Sequence, residues 1–374
     1  MDASPRFLGG TSIYVLNFIE YLNKLDKKFE ITCIFPGEKK REKIEKGVKW
    51  VEIKHSSFFP FNMLGYTKKV ANFLKKNNFD FINSHAMSGN YLRYHIPEKG
   101  FITNTYHGVA YYFYKIHLGE KKWIKKLGAL YYMFFGSYLE KGAYKRADKT
   151  ISVSEHVKKE IGFLYGKPKD SVVVRSSVDT SLFKHRNRIQ ILKELNLEKG
   201  VQYGLYVGRG GPWRKGLDRA IEISKELIKI NKNFKLIVIG PSENKENSNL
   251  INQLKNSAKY IPIADRSLIS KYYSISEIFF CFSRYEGGAP ILTLGEAMAS
   301  GCLPICSTDS NQEIIKDNYN GIILNGFKES NARRINNLLN NERQKKEIIK
   351  ESKKEIGKHS IDNWGKKYLG AITK

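Results

Sequence analysis

The sequence predicts an α/β protein of two doubly wound, parallel-sheet domains, and three observations carry that prediction. Between Tyr203 and Cys306, apolar runs of strand length alternate with amphipathic runs of helix length, the pattern of repeated βαβ units. A chain of 374 residues exceeds what a single core comfortably fills. No repeat of solenoid period and no Pro- or Ser-rich linker interrupts it, so a short hinge joins the halves.

The first half opens on Gly9-Gly10-Thr11-Ser12, a turn into a helix over residues 13–25. A buried strand should precede such a turn in an α/β domain, and the stretch from Met1 to Leu8 has no apolar run. Either the first strand is vestigial or the chain begins downstream of its natural start. Residues 29–35 and 48–53 read as strands and 63–76 as a helix. Residues 79–85 and 101–108 follow as two apolar strand patterns, each carrying a His near its end, His85 and His107. A His at a strand end is usually a hydrogen-bonded structural residue, and that is the expectation for His85. Residues 120–146 form a long helical stretch with an uncharged centre at 127–139, too short for the roughly 20 apolar residues that span a bilayer. Cations Lys121, Lys122, Lys125, Lys126, Lys141, Lys145 and Arg146 flank that centre, with aromatic residues interleaved. The stretch reads as a core helix, with docking on an anionic membrane open to its other face. A strand at 150–154, a Ser-capped helix at 155–165 and a strand at 172–174 complete the half, and the hinge is placed near Phe183.

The second half reads as strand 203–207, helix 217–230, strand 234–239, helix 245–257, strand 260–263, helix 267–274 and strand 278–282. A helix through Glu296 with Gly301 as its C-cap, a strand at 303–306, a charged helical stretch at 328–356 and a last helix at 360–372 follow.

Composition excludes several classes. Hydrophobic residues at 41% and aromatics at 13% fill two cores, so the chain is not disordered. Four cysteines lie mostly in apolar runs, and the Cys302 to Cys306 spacing is that of neither a zinc nor a thioredoxin motif; a reduced, cytoplasmic protein without structural zinc is expected. The formal charge of +27 attracts nucleic acid, anionic lipid or an anionic substrate without choosing among them. Because the lysines are dispersed, a solvated basic surface is the plainest reading, and a concentrated nucleic-acid face is not seen.

Chemistry concentrates at two strand-to-helix junctions. The run Phe279-Phe280-Cys281-Phe282 feeds Glu286-Gly287-Gly288-Ala289-Pro290 and then a small-residue helix containing Glu296. Upstream, Gly208-Arg209-Gly210-Gly211-Pro212-Trp213-Arg214-Lys215-Gly216 also stands between a strand and a helix. Backbone N–H groups and the positive end of a helix dipole at such junctions suit a phosphate. Two of them suit a diphosphate held between cations and amides, with the carboxylates left for hydroxyl groups. A dinucleotide fingerprint starting at Gly208 would need Gly where Trp213 stands.

At these residues the chain resembles the retaining nucleotide-sugar glycosyltransferases of family 4, which have the two-domain GT-B fold, two Rossmann-like domains facing a cleft. Glu286-Gly287, Pro290 and the Glu296-to-Gly301 run match the family pattern, and so do His107-Gly108 and Val178-Asp179. Nine residues separate Glu286 from Glu296, two more than is usual in the family, and Ser176-Ser177 replaces its usual Asn-Gly.

The resemblance implies an N-terminal acceptor-side domain at 1–183, with helix 360–374 crossing back to it, and a donor-binding domain at 184–359. It implies that Arg209 and Lys215 meet the diphosphate, with Arg214 as the alternative to Lys215. Glu286 would sit at the donor sugar, and Glu296 would accept from the ribose hydroxyls. Glu286, Arg209, Lys215 and His107 would be the catalytic residues, His107 from the acceptor side; Gly208, Gly210, Gly287 and Gly288 would line the donor site, and Gly10 the acceptor side. No Asp-x-Asp metal motif stands in a suitable loop, and the family uses basic residues and helix dipoles, so neither a metal nor another cofactor is expected. The expected partners are a nucleotide sugar and a glycan or lipid-linked acceptor in cell-surface glycan or glycolipid synthesis. Nucleic acid is not expected, and peripheral contact at the inner face of the cell membrane is open. Two rivals remain: a basic protein for nucleic acid or anionic polymer, and a donor-binding homologue without catalysis.

Overall fold

The computed structural model describes residues 9–25, 29–55, 61–94, 100–120, 123–167, 170–208, 212–240, 245–310 and 313–373. The chain divides into two compact units, Met1–Ser177 with Ile361–Lys374, and Val178–Ser360. The boundary therefore falls before the expected hinge at Phe183. That ring is 1% exposed inside the core of the second unit, which ties its neighbours to that unit.

The first unit runs α1 (Gly10–Asn23), β1 (Ile31–Gly37), β2 (Arg41–Glu45), β3 (Val48–Lys54), α2 (Phe61–Lys76), β4 (Phe81–His85) and β5 (Phe101–Tyr106). It continues α3 (Ala110–Lys115), α4 (Trp123–Arg146), β6 (Lys149–Ser152), α5 (Glu155–Tyr165) and β7 (Ser171–Val173). Its strands form two sheets, β1-β3-β2 and the parallel β4-β5-β6-β7. β2 was not foreseen. It is antiparallel to β3 across Lys46-Gly47, both at positive φ (50° and 74°), the two-residue turn that matches strand twist.

β2, Arg-Glu-Lys-Ile-Glu, is exposed along its length and has the charges that protect a sheet edge. β1 and β4 have no such charges, yet each pairs on one side only among the described residues. Between them lies a cavity of about 140 Å³ lined by Thr32, Ile34, Phe81, Asn83 and, from α2, Tyr66 and Val70. Among the described residues no strand precedes α1.

The second unit runs α6 (Arg188–Glu194), β8 (Gln202–Val207), α7 (Pro212–Lys215), α8 (Leu217–Ile230), β9 (Phe234–Ile239), α9 (Lys245–Asn252) and β10 (Ala258–Ile261). It continues α10 (Arg266–Ile275), β11 (Ile278–Cys281), α11 (Leu292–Ser300), β12 (Leu303–Ser307), β13 (Ile322–Leu324), α12 (Glu329–Asn340) and α13 (Glu342–Gly357). Six strands pair in parallel in the order β10-β9-β8-β11-β12-β13. Successive residues of a strand face opposite layers, so Leu205 and Phe279 enter one core while Tyr206 and Phe280 enter the other. Both faces are covered, as a doubly wound sheet requires. Caps fix the helix ends: Asp265 Oδ1 accepts from the Leu268 N–H at 2.7 Å, and Gly301, at φ 92°, closes α11.

The last helix, α14 (Ile361–Thr373), belongs to the first unit. Tyr368 Oη hydrogen-bonds Asn83 Oδ1 and Thr105 Oγ1, each at 2.8 Å, tying α14 to β4 and β5. Trp364 stacks on Tyr368, and both rings meet Tyr14 of α1 edge-on.

Candidate functional site

In the second unit, β8 leads through α7 and α8 to β9 on one side, while β11 leads through α11 to β12 on the other. Adjacent parallel strands whose connections diverge leave a crevice beyond their carboxyl ends, where open α/β sheets bind ligands. The two junctions singled out in the sequence leave the sheet at these two strands.

Glu286, in the loop after β11, accepts from Arg214 Nη1 at 3.0 Å and is ion-paired to Lys215 Nζ on the same oxygen. Arg214 also donates to the Tyr285 carbonyl at 3.2 Å. The side chains of Glu286, Arg214 and Lys215 are 13%, 15% and 18% exposed. Burial alone would raise the Glu286 carboxyl, but the Lys215 ammonium and the Arg214 guanidinium offset it and hold the group at about 2. Burial in turn pulls the Lys215 ammonium below its ordinary range, against the pull of Glu286. In this structure Glu286 pairs with both cations through one carboxylate oxygen.

A second set of contacts locks these loops. Arg284 grips Asp218 with two bonds of 2.9 and 2.6 Å while its guanidinium lies 3.5 Å from the Trp213 ring centroid. The Arg284 N–H donates to the Arg214 carbonyl at 2.7 Å. Arg219 reaches the Phe282 carbonyl and Asp309. Sequence pattern carries no signal for these pairings, which join residues 63 to 90 positions apart.

Glu296, on α11, is 5% exposed and paired with Arg266 Nη2 at 3.3 Å; Arg266 also lies over the Phe183 ring. Gly287 and Gly288 follow Glu286 directly, before the cis Ala289–Pro290 bond. Gly208 and Gly216 have packing reasons to be glycine. A Cβ at Gly208 would stand 2.5 Å from Tyr206 Oη, and one at Gly216, where φ is 73°, would stand 2.1 Å from the Phe282 carbonyl oxygen. Tyr206 Oη is buried without a hydrogen-bond partner among the described residues. Arg209 and Gly210 lie outside the described residues.

In the first unit, His107 Nε2 and His85 Nδ1 are 2.8 Å apart, with Tyr14 edge-on to both rings. Burial pushes both imidazoles down, His107 to about 3, so the pair is neutral near pH 7, one nitrogen donating and the other accepting. Gly10 begins α1 and is exposed, and a Cβ there would meet nothing within 4 Å. Packing does not demand glycine at that position. Among the described residues, no three His, Cys, Asp or Glu side chains lie together where they could hold a metal ion.

Two family models match the chain in succession: "Glycosyltransferase Family 4" over residues 8–182 and "Glycosyl transferases group 1" over 187–355. No curated protein matches it in sequence. Solved structures share its fold. Sucrose-phosphate synthase from Thermosynechococcus elongatus aligns at 17% identity and a TM-score of 0.79, over 97% of this chain and 92% of its own. WaaG, a glycosyltransferase involved in lipopolysaccharide biosynthesis, aligns at 14% identity and a TM-score of 0.77, over 98% and 96%. Anabaena HepE, in complex with UDP and glucose, aligns at 13% identity and a TM-score of 0.65, over 88% and 87%.

Proposed function

The chain belongs to the GT-B glycosyltransferases, and from that premise we propose that it moves a sugar from a nucleotide-diphosphate donor to a hydroxyl acceptor with retention of anomeric configuration. The observation that carries the donor assignment is the cluster of Lys215, Arg214 and Glu286 at the diverging strands β8 and β11. An anion entering beside Lys215 and Arg214 replaces the carboxylate as their partner, so the cations turn to the diphosphate while Glu286 is freed toward the sugar. In the reaction the bond from the anomeric carbon to the diphosphate oxygen breaks, and its electron pair leaves with the nucleoside diphosphate. The acceptor oxygen bonds to the same carbon on the face the diphosphate leaves and passes its proton to the departing phosphate oxygen. Lys215, Arg214 and Arg209 offset charge building on the leaving group, the electrostatic contribution that is usually the largest. Glu286 positions the donor and stabilises the positive charge on the sugar. No residue is assigned as a covalent nucleophile, and no metal or other cofactor is assigned a part. The fold-sharing HepE structure, which holds UDP and glucose, supports a donor of this class.

Glu296 is assigned to the ribose hydroxyls, exchanging Arg266 for them. The test is thermal stability against a panel of nucleotide sugars, with product release followed by chromatography. A specific donor at a hundred times its Kd adds about 2.7 kcal/mol of stability. Glu296→Ala should weaken donor binding about tenfold or more, the loss of a charge-assisted hydrogen bond, with little change in turnover at saturation. If no nucleotide sugar stabilises the protein and none is consumed, the reading fails.

A further inference from the structure

α4 has an exposed side that the core does not use. Ala129, Met133, Gly136, Leu139, Ala143 and Tyr144 form its buried side. Trp123, Leu127, Leu130, Phe134 and Tyr138 stand on the other, at steps of three and four residues, and each is between 50% and 72% exposed. This ridge runs from Trp123 to Tyr138, about 23 Å of helix at 1.5 Å rise per residue.

The charges around it are of one sign. Lys126, Lys141, Lys145 and Arg146 are exposed on the same helix. Its one acid, Glu140, is 2% exposed and turned inward, accepting from the Ala110 N–H at 2.9 Å and from Tyr165 Oη at 3.0 Å. Lys121 and Lys122 lie outside the described residues. No helix among the described residues is long and apolar enough to cross a membrane. A helix with a buried side, an exposed apolar ridge, flanking cations and no exposed acid is built to lie in the plane of an interface.

We infer that the ridge of α4 docks on an anionic lipid bilayer, with Trp123, Leu127, Leu130, Phe134 and Tyr138 inserted at the headgroup level and Lys126, Lys141 and Lys145 against the lipid phosphates. The charge sign selects this occupant over a second copy of the chain, because two such ridges would bring like-charged lysines together, on a protein of net charge +27. The inference is independent of the donor chemistry. Where the transferase reading also holds, docking implies an acceptor presented at a lipid surface.

The test is co-sedimentation of the purified chain, without donor, with phosphatidylglycerol-containing and with pure phosphatidylcholine vesicles. Trp123 fluorescence is read in parallel against brominated lipids, with Trp123→Phe as the control. Binding should be confined to anionic vesicles and weaken as salt rises. The triple change of Lys126, Lys141 and Lys145 to Gln should lower the partition coefficient about a hundredfold, at about fivefold per charge. Phe134→Glu, at an exposed position that leaves the fold intact, should abolish it, and brominated lipid should quench Trp123. Three outcomes would overturn the inference: no binding to anionic vesicles at low salt, binding that survives Phe134→Glu, or a dimer in sedimentation velocity that Phe134→Glu dissolves. Because no step requires turnover, failure here and failure of the transferase reading are separately visible.

Discussion

Replacing Glu286 by Gln removes the carboxylate that neutralises two poorly exposed cations while keeping its shape. The carboxyl is held at about 2 against an ordinary 4.5, which corresponds to about 3 kcal/mol of preference for the ionised form in the folded state. Glu286→Gln should therefore lower the unfolding free energy of the second unit by about 3 kcal/mol near pH 7, since Lys215 and Arg214 lose their common partner. The sign of the pH dependence follows. A carboxyl depressed in the folded state contributes fully above about pH 4.5, and that contribution is lost as pH falls toward 2. Urea unfolding of wild type and variant across pH 3 to 8 should show the gap narrowing on the acid side. Glu286→Gln combined with Lys215→Met should recover part of the loss, because removing both partners costs less than stranding one. Turnover should fall sharply while a nucleoside diphosphate binds as well as before or better, its cations no longer occupied. A variant within about 0.5 kcal/mol of wild type at every pH would refute the ion pair in solution, and with it the exchange proposed for donor entry.

Three further outcomes are expected. The pair of His85 and His107 stays neutral in the folded state, whereas the unfolded chain takes up protons near pH 6.5; stability should be full above that pH and decline below it. Thermal unfolding from pH 5 to 8 checks this, and His107→Gln should flatten the decline. Lys215→Ala and Arg214→Ala should each lower kcat at saturating donor, as expected of contacts that strengthen when the diphosphate leaves; a change confined to KM would place them in ground-state binding. Hydrogen exchange should be faster in β1 and β4, each paired on one side, than in the central strands β8 and β11; equal protection would show that their open edges are filled.

The second unit was legible because its rules are local and redundant. Each strand from β8 to β12 is a short apolar run bounded by turn residues, and each helix after it has its own cap or periodicity, so helix 217–230 and strand 234–239 fall where pattern alone puts them. In the first unit the pattern is weaker. Arg41 to Glu45 reads as charged loop because an edge strand facing water on both sides carries no alternation. The expected helix at 120–146 begins at Trp123 among the described residues, with α3 standing before it. The stretch 328–356 is two helices, parted at Asn341, whose side chain caps the second by accepting from the Gln344 N–H at 3.1 Å.

The site shows the same division at the level of single residues. Glu286, Lys215 and Glu296 could be named because their neighbours in sequence, glycines and a proline at a strand end, declare a junction. Arg266 could not. It reaches Glu296 because α10 and α11 pack side by side, a tertiary fact with no trace in the 29 residues between them. The consequence is chemical. From the sequence, each carboxylate stood unopposed and the cations awaited an anion from outside. In the folded chain Glu286 and Glu296 each hold an arginine or lysine, so the site's cations arrive already paired, Arg214 and Lys215 sharing one carboxylate. Under the proposed function, an anionic donor would enter by replacing carboxylates at cations that are already positioned, which would spare the reorganisation that unpaired charges in water require. That is why the Glu286 variant should lose stability without losing nucleoside diphosphate affinity, a combination that neither a solvated pair of bases nor a purely structural salt bridge would produce.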